Sequence, residues 1–122
     1  LILVDTSVWI DHLRTSNTLL ADALEVEAVL AHPFVIGELA CGEMKERREV
    51  LSLLATLPSS VVATDDEVLL FIENHRLMGK GIGYVDAHLL ASITLTDGAQ
   101  LWTRDKRLGV LAAQLQIGSG NA

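Results

Sequence analysis

The chain has 122 residues, 50% of them hydrophobic and 20% charged, with a net charge of −7. That content fills one compact domain with a sizeable core and excludes a disordered chain, and no apolar run reaches the roughly 20 residues of a membrane span. An acidic balance argues against a simple nucleic-acid binder, whose surface is usually basic, although Lys45, Arg47 and Arg48 form one basic cluster and Arg104, Lys106 and Arg107 another.

The opening LILVD is a continuous apolar run ending in an acid and reads as a fully buried strand. It turns acidic too soon for a secretory signal, and without a Met it is expected to begin just inside the natural start. TSVWIDHLR has helical spacing, and Thr6 or Ser7 can cap it. A short helix is expected over residues 19–25 and a strand over 28–32. Pro33 suits the first turn of a helix running to about Gly42. Cys41, the single cysteine, rules out an internal disulfide, fits a reducing cytoplasm and is expected as a small buried hydrophobe.

Residues 46–57 are amphipathic and helical up to Pro58, and 60–64 read as a strand. Thr64 and Glu67 have the spacing of a capping box, which opens the next helix and explains Asp65 and Asp66. The loop GKGIGY leads to a helix over VDAHLLASITLT, AQLWT is the last clear strand, and residues 105–115 close as a helix. Gln116 and Ile117 can add a short edge strand. The expected layout is one domain over 1–117 and a frayed tail over 118–122. Apolar strands alternating with helices imply an α/β fold, three-layered, with a short, mostly parallel sheet and right-handed crossovers.

In such sheets ligands bind beyond the carboxyl ends of the strands. Asp5 ends the first strand, Asp105 follows the last, Asp86 opens the helix leading into that strand, and Glu38 lies within the helix after the second. Taken singly, Asp5, Asp86 and Asp105 could be caps or first-turn acids. Glu38 fits worst, because it sits in the apolar run HPFVIGELACG and a carboxylate is rarely buried without a partner; the competing reading points it out of an amphipathic helix to solvent, paired with a basic neighbour such as Lys45. Four acids meeting without a cation would repel one another. Mg²⁺ or Mn²⁺ takes oxygen ligands and keeps several waters, and serves to activate water at a phosphodiester.

The motifs LILVDTSVWIDHL, HPFVIGELACG, GIGYVDAHLLAS and LWTRDKRL, in this order and spacing, resemble the PIN-domain ribonucleases, and more narrowly the VapC toxins of bacterial VapBC toxin–antitoxin pairs. The resemblance spans nearly the whole chain. It implies a metal-binding quartet at Asp5, Glu38, Asp86 and Asp105, with the hydroxyls of Thr6, Ser7 and Thr103 orienting the carboxylates. It further implies Mg²⁺- or Mn²⁺-dependent endonucleolytic cutting of RNA, tRNA or rRNA, by water, leaving a 5′-phosphate and a 3′-hydroxyl. A homodimer, a VapB-like antitoxin inserting a basic segment into the acidic groove, and a cytoplasmic location without membrane attachment are implied with it. Lys80, Arg104 and Arg107 are candidates for phosphate contacts, with plain surface charge the competing reading.

Two other functions compete. A non-catalytic PIN-like module would bind RNA or a protein without needing a cation. A phospho-receiver domain would want two adjacent acids at the end of the first strand, where this chain has Asp5, Thr6 and Ser7. His12, His32, His75 and His88 lack metal-ligand spacing, and Trp9 and Trp102 read as core or dimer contacts.

Overall fold

The computed structural model describes residues 1–120. The chain runs β1 (Ile2–Val4), α1 (Thr6–Thr15), α2 (Thr18–Glu25), β2 (Val29–Leu30), α3 (Pro33–Cys41), α4 (Arg47–Thr56), α5 (Asp65–His75), α6 (Tyr84–Thr94), β3 (Gln100–Trp102) and α7 (Lys106–Gln114). The three strands form one parallel sheet in the order β2-β1-β3. Ile2 stands opposite both Val29 and Gln100, and Val4 opposite Trp102. This is an α/β fold. Among the described residues no helix is long and apolar enough to cross a membrane.

The apolar strand residues explain the sheet's central position. Leu3, Val4, Val29, Leu30, Leu101 and Trp102 are all buried, as strands covered on both faces require. Trp9 and Trp102 are core residues, exposed by only 2% and 0%. Helix α6 is buried continuously from Ala87 to Ile93, and α5 and β3 pack on it. Because β1 is central, with β2 and β3 on either side, the chain changes direction between β1 and β3. The crevice at their carboxyl ends is where such sheets bind ligands.

Four local expectations are corrected. Residues 60–64 do not form a strand. Ser59 makes one parallel bridge to Ala31, and then Thr96 Oγ1 and Ser92 Oγ take the N–H groups of Val61 and Ala63. Side-chain hydroxyls thus replace a strand partner, leaving Val61 and Val62 exposed. At the other edge, Gly118 rather than Gln116 or Ile117 makes the bridge to Leu101. The Leu101 N–H donates to Ile117 O and the Ser119 N–H to Leu101 O, so residues 118 and 119, expected in a frayed tail, are tied to β3. The tail's last two residues, 121 and 122, lie outside the described residues. Cys41 is exposed rather than buried, because it ends α3 on the side away from Val35 and Leu39, which face the core. Asp5 itself, not Thr6 or Ser7, caps α1.

Candidate functional site

Asp5 leaves β1 and caps α1 in one step. Its backbone N–H donates to Trp102 O at 2.9 Å, which fastens it to the end of β3. Its side chain is buried, with 7% exposure. The Thr6 N–H donates to Asp5 Oδ1 at 2.8 Å. The hydroxyls of Ser7 and Thr103 donate to Asp5 Oδ2 at 3.0 and 2.7 Å. A carboxylate has about four lone-pair positions, so these three donors leave one of them open.

The two hydroxyls face each other at 3.4 Å. Each has one hydrogen, and both hydrogens point at Asp5, so neither donates to the other. Their lone pairs are used instead by the next residues of the chain. The Arg104 N–H donates to Ser7 Oγ and the Asp105 N–H to Thr103 Oγ1, both at 3.0 Å. Thr103 therefore orients Asp5 and places Asp105 at once. Asp105 caps α7 by accepting from the Leu108 N–H at 2.9 Å, and its side chain stays exposed.

Glu38 comes to the same rim from α3. Thr6 Oγ1 donates to Glu38 Oε1 at 2.8 Å. Contrary to the reading of its apolar neighbours, Glu38 is exposed. Val35 and Leu39 are buried, and Glu38, three residues after Val35, falls at the margin of that face; a nine-residue helix rich in apolar residues hides where the wet face begins. No ion pair holds Glu38; among the described residues the ion pair seen is Arg104 with Asp11, at 3.0 Å.

Asp86 sits, half-buried, in the first turn of α6. Burial raises its pKa above the usual 3.8, the charge of Asp5 adds to that, a hydrogen bond with the Gly83 backbone opposes it, and Asp105 and Glu38 raise it further. All three other acids thus act on Asp86. The structure brings the seven residues singled out from the sequence to one rim, joined by hydrogen bonds or by charge. Even so, among the described residues no three His, Cys, Asp or Glu side chains are gathered tightly enough to hold a metal ion by themselves.

Two supporting contacts were not anticipated. Tyr84, two residues before Asp86, donates its hydroxyl to Asp65 Oδ1 at 2.6 Å, tying the start of α6 to the start of α5. His32 is fully buried and links the helices that carry Glu38 and Asp86. Its Nδ1 accepts from the Phe34 N–H at 3.0 Å, capping α3. That assigns the ring proton to Nε2, which donates to Ser92 Oγ of α6 at 3.0 Å. Ser92 Oγ also accepts from the Ala63 N–H, so its own hydrogen is left for His88 Nδ1. The sequence signal for this was His32 directly before Pro33, a capping position ahead of a first-turn proline.

The PIN domain family matches residues 2–114. The chain is also 52% identical over 114 residues to Ribonuclease VapC32 from two strains of Mycobacterium tuberculosis, covering 93% of this chain and 92% of that protein.

Proposed function

The chain belongs to the PIN-domain family, and from that premise we propose that it is the toxin ribonuclease of a VapBC-type toxin–antitoxin pair, cutting RNA phosphodiester bonds with a divalent cation and water. The observation that carries this reading is the hydrogen-bonded rim in which Thr103 joins Asp5 to Asp105 and Thr6 joins the start of α1 to Glu38, at the crevice where a parallel sheet binds its ligand.

A hard cation fits the donor set. Every candidate ligand is a carboxylate oxygen, and the nearby His32 and His88 are occupied in packing and capping. Acids that feel one another's charge without forming a closed cage match the habit of Mg²⁺, and of Mn²⁺ with it, of taking a few carboxylates and keeping waters. Asp5, Asp86 and Asp105 would hold the ion directly or through water, and Glu38 would ligate it or orient the attacking water. When bound, the ion neutralises phosphodiester charge and activates water.

The chain's own residues prepare the rest. Ser7 and Thr103 fix the Asp5 carboxylate, and Thr6 holds Glu38 Oε1. Glu38 takes the proton of the attacking water as the new P–O bond forms and the P–O3′ bond breaks, and the departing 3′ oxygen takes a proton from solvent, which leaves a 5′-phosphate and a 3′-hydroxyl. The RNA is a tRNA or rRNA, in the cytoplasm, and the active form is a homodimer. The VapB-like antitoxin has a natural place in an open groove of about 860 Å³ that Glu38 lines with Ile10, Leu13, Met44 and Val50. Glu43 and Glu46 line it too, against Arg14 and Lys45, so an apolar segment carrying basic side chains would satisfy both its walls and its acids.

The test is cleavage of a mixed tRNA and rRNA pool in Mn²⁺ or in EDTA, comparing the native chain with Glu38→Gln. Cutting should require the metal and fall at least about 100-fold in the variant, the typical weight of a positioned acid–base group. Cutting indifferent to EDTA and to the substitution would refute the reading. The looseness of the acids favours one second reading, a binding-only module; that module would hold RNA equally well in Mn²⁺ and EDTA and cut in neither.

A further inference from the structure

Six of the nine Lys and Arg residues fall outside one small region of the surface, and the other three meet there. Lys80, Lys106 and Arg107 line a cavity of about 280 Å³ together with Val110, Leu111 and Gln114. No carboxylate lines it. None of the three cations is in an ion pair among the described residues, whereas Arg104 of the same cluster is held by Asp11. Arg47, from the other cluster, is used structurally, donating to Ala40 O near the end of α3.

The local backbone is shaped to this arrangement. Gly81 has φ +81°, and a Cβ there would stand 2.7 Å from both Cδ and Nη1 of Arg107. The guanidinium therefore lies against the bare glycine backbone, and only glycine allows both that approach and that φ. Lys106 and Arg107 also occupy the first turn of α7, where the helix dipole disfavours positive charge. Three mutually repelling cations, two of them set against a helix dipole, in a chain of net charge −7, would be stabilised by an anion in the cavity.

The cavity lies against the catalytic rim on both sides. Lys106 directly follows Asp105, and the loop carrying Lys80 and Gly81 leads into the helix that presents Asp86. We propose that the cavity formed by Lys80, Lys106 and Arg107 binds a backbone phosphate of single-stranded RNA beside the scissile bond, holding the strand on a surface that otherwise repels it. The proposal rests on the ribonuclease reading for its ligand. It adds to that reading a sequence-independent anchor distinct from the four acids.

The experiment is equilibrium binding of a fluorescein-labelled, mixed-sequence 12-nucleotide RNA to the full chain in EDTA, by anisotropy, between 50 and 300 mM KCl. Single strands lose about 0.7 in the slope of log K against log [KCl] for each phosphate contact removed. The triple variant Lys80→Gln/Lys106→Gln/Arg107→Gln, which loses the one phosphate held in the cavity, should therefore bind with a slope shallower by about 0.7, and Lys80→Gln alone by less. Arg48→Gln/Arg76→Gln removes charge from exposed positions elsewhere and should keep the native slope. All five side chains are exposed, so the variants should fold, and melting curves check that they do.

A native slope in the pocket variant, an equal loss in the control variant, or no RNA binding by the native chain would each overturn the proposal. Binding is read without cutting, so the two readings fail separately. A shallower slope in a chain that never cuts RNA would uphold the pocket and sink the nuclease. Metal-dependent cutting with an unchanged slope would do the opposite.

Discussion

Thr103 is the residue on which most of the rim converges. Its hydroxyl donates to Asp5 and accepts from the Asp105 N–H, and valine, its nearest isostere, can do neither. Thr103→Val should lower stability by about 1–2 kcal/mol, the usual range when partners of a partly buried hydrogen bond are orphaned. It should also lower cleavage roughly 10–100-fold, as the loss of groups that orient metal ligands commonly does. Urea denaturation and single-turnover cutting measure the two; unchanged cutting would mean that Asp5 needs no orienting. Asp86 supplies a second residue-scale prediction. A carboxyl whose folded pKa is raised stabilises the fold only while protonated. That contribution is complete below its ordinary 3.8 and is lost as pH rises through the raised value. At neutral pH the ionised Asp86 works against folding, so Asp86→Asn should melt higher than the native chain in EDTA while its cutting should be lost. A lower melting temperature would show that the acids do not strain the metal-free fold.

At the scale of elements, the helices carrying Glu38 and Asp86 are held in register by His32 and Ser92 rather than by either acid. Burial, and then the neighbouring His88, lowers the His32 pKa from 6.5 to about 4. Protonating its Nδ1 would also displace the Phe34 N–H that caps α3. The neutral ring stabilises the fold fully above pH 6.5, and this is lost as pH falls from 6.5 towards 4, by roughly 3 kcal/mol for a shift of that size. Chemical denaturation at pH 7 and pH 4.5 measures it. His32→Asn keeps a capping oxygen without a titrating ring, and should be less stable at pH 7 but lose less on acidification; parallel losses in both proteins would remove His32 from the account. Helix α5 tests a simpler rule. Thr64 and Glu67 form a reciprocal capping box, and Thr64→Ala should cost about 1 kcal/mol.

At the scale of the whole molecule, net charge and site are linked. A fold of net charge −7 that gathers four of its acids at one rim is relieved by whatever cation binds there. A ligand held only by the folded chain stabilises it by about 2.7 kcal/mol at 100 times its dissociation constant, which for a domain of this size is on the order of 10 °C. Millimolar Mn²⁺ should raise the melting temperature of the native chain by that order and that of Asp86→Asn by much less. A native melting temperature indifferent to Mn²⁺ would remove the metal site.

The sequence by itself determined the alternation of helices and parallel strands, because strands buried on both faces must be apolar throughout and because a capping Thr64 and a first-turn Pro33 mark helix starts locally. It also placed Asp5 and Asp105 on one rim, since parallel strands end on the same side. What it could not determine were features decided by contacts between distant residues. Residues 60–64 look like a strand but lose their backbone partners to the hydroxyls of Ser92 and Thr96. Glu38 and Cys41 look buried but face outward, because a short helix with apolar residues on every side is oriented by its packing and not by its pattern. The sharing of Thr103 between Asp5 and Asp105, the bond from His32 to Ser92 across 60 residues of chain, and the meeting of Lys80 with Lys106 and Arg107 all belong to the tertiary structure. Hydrogen bonds and charges act through space, and no period along the chain encodes which distant partners will be brought together.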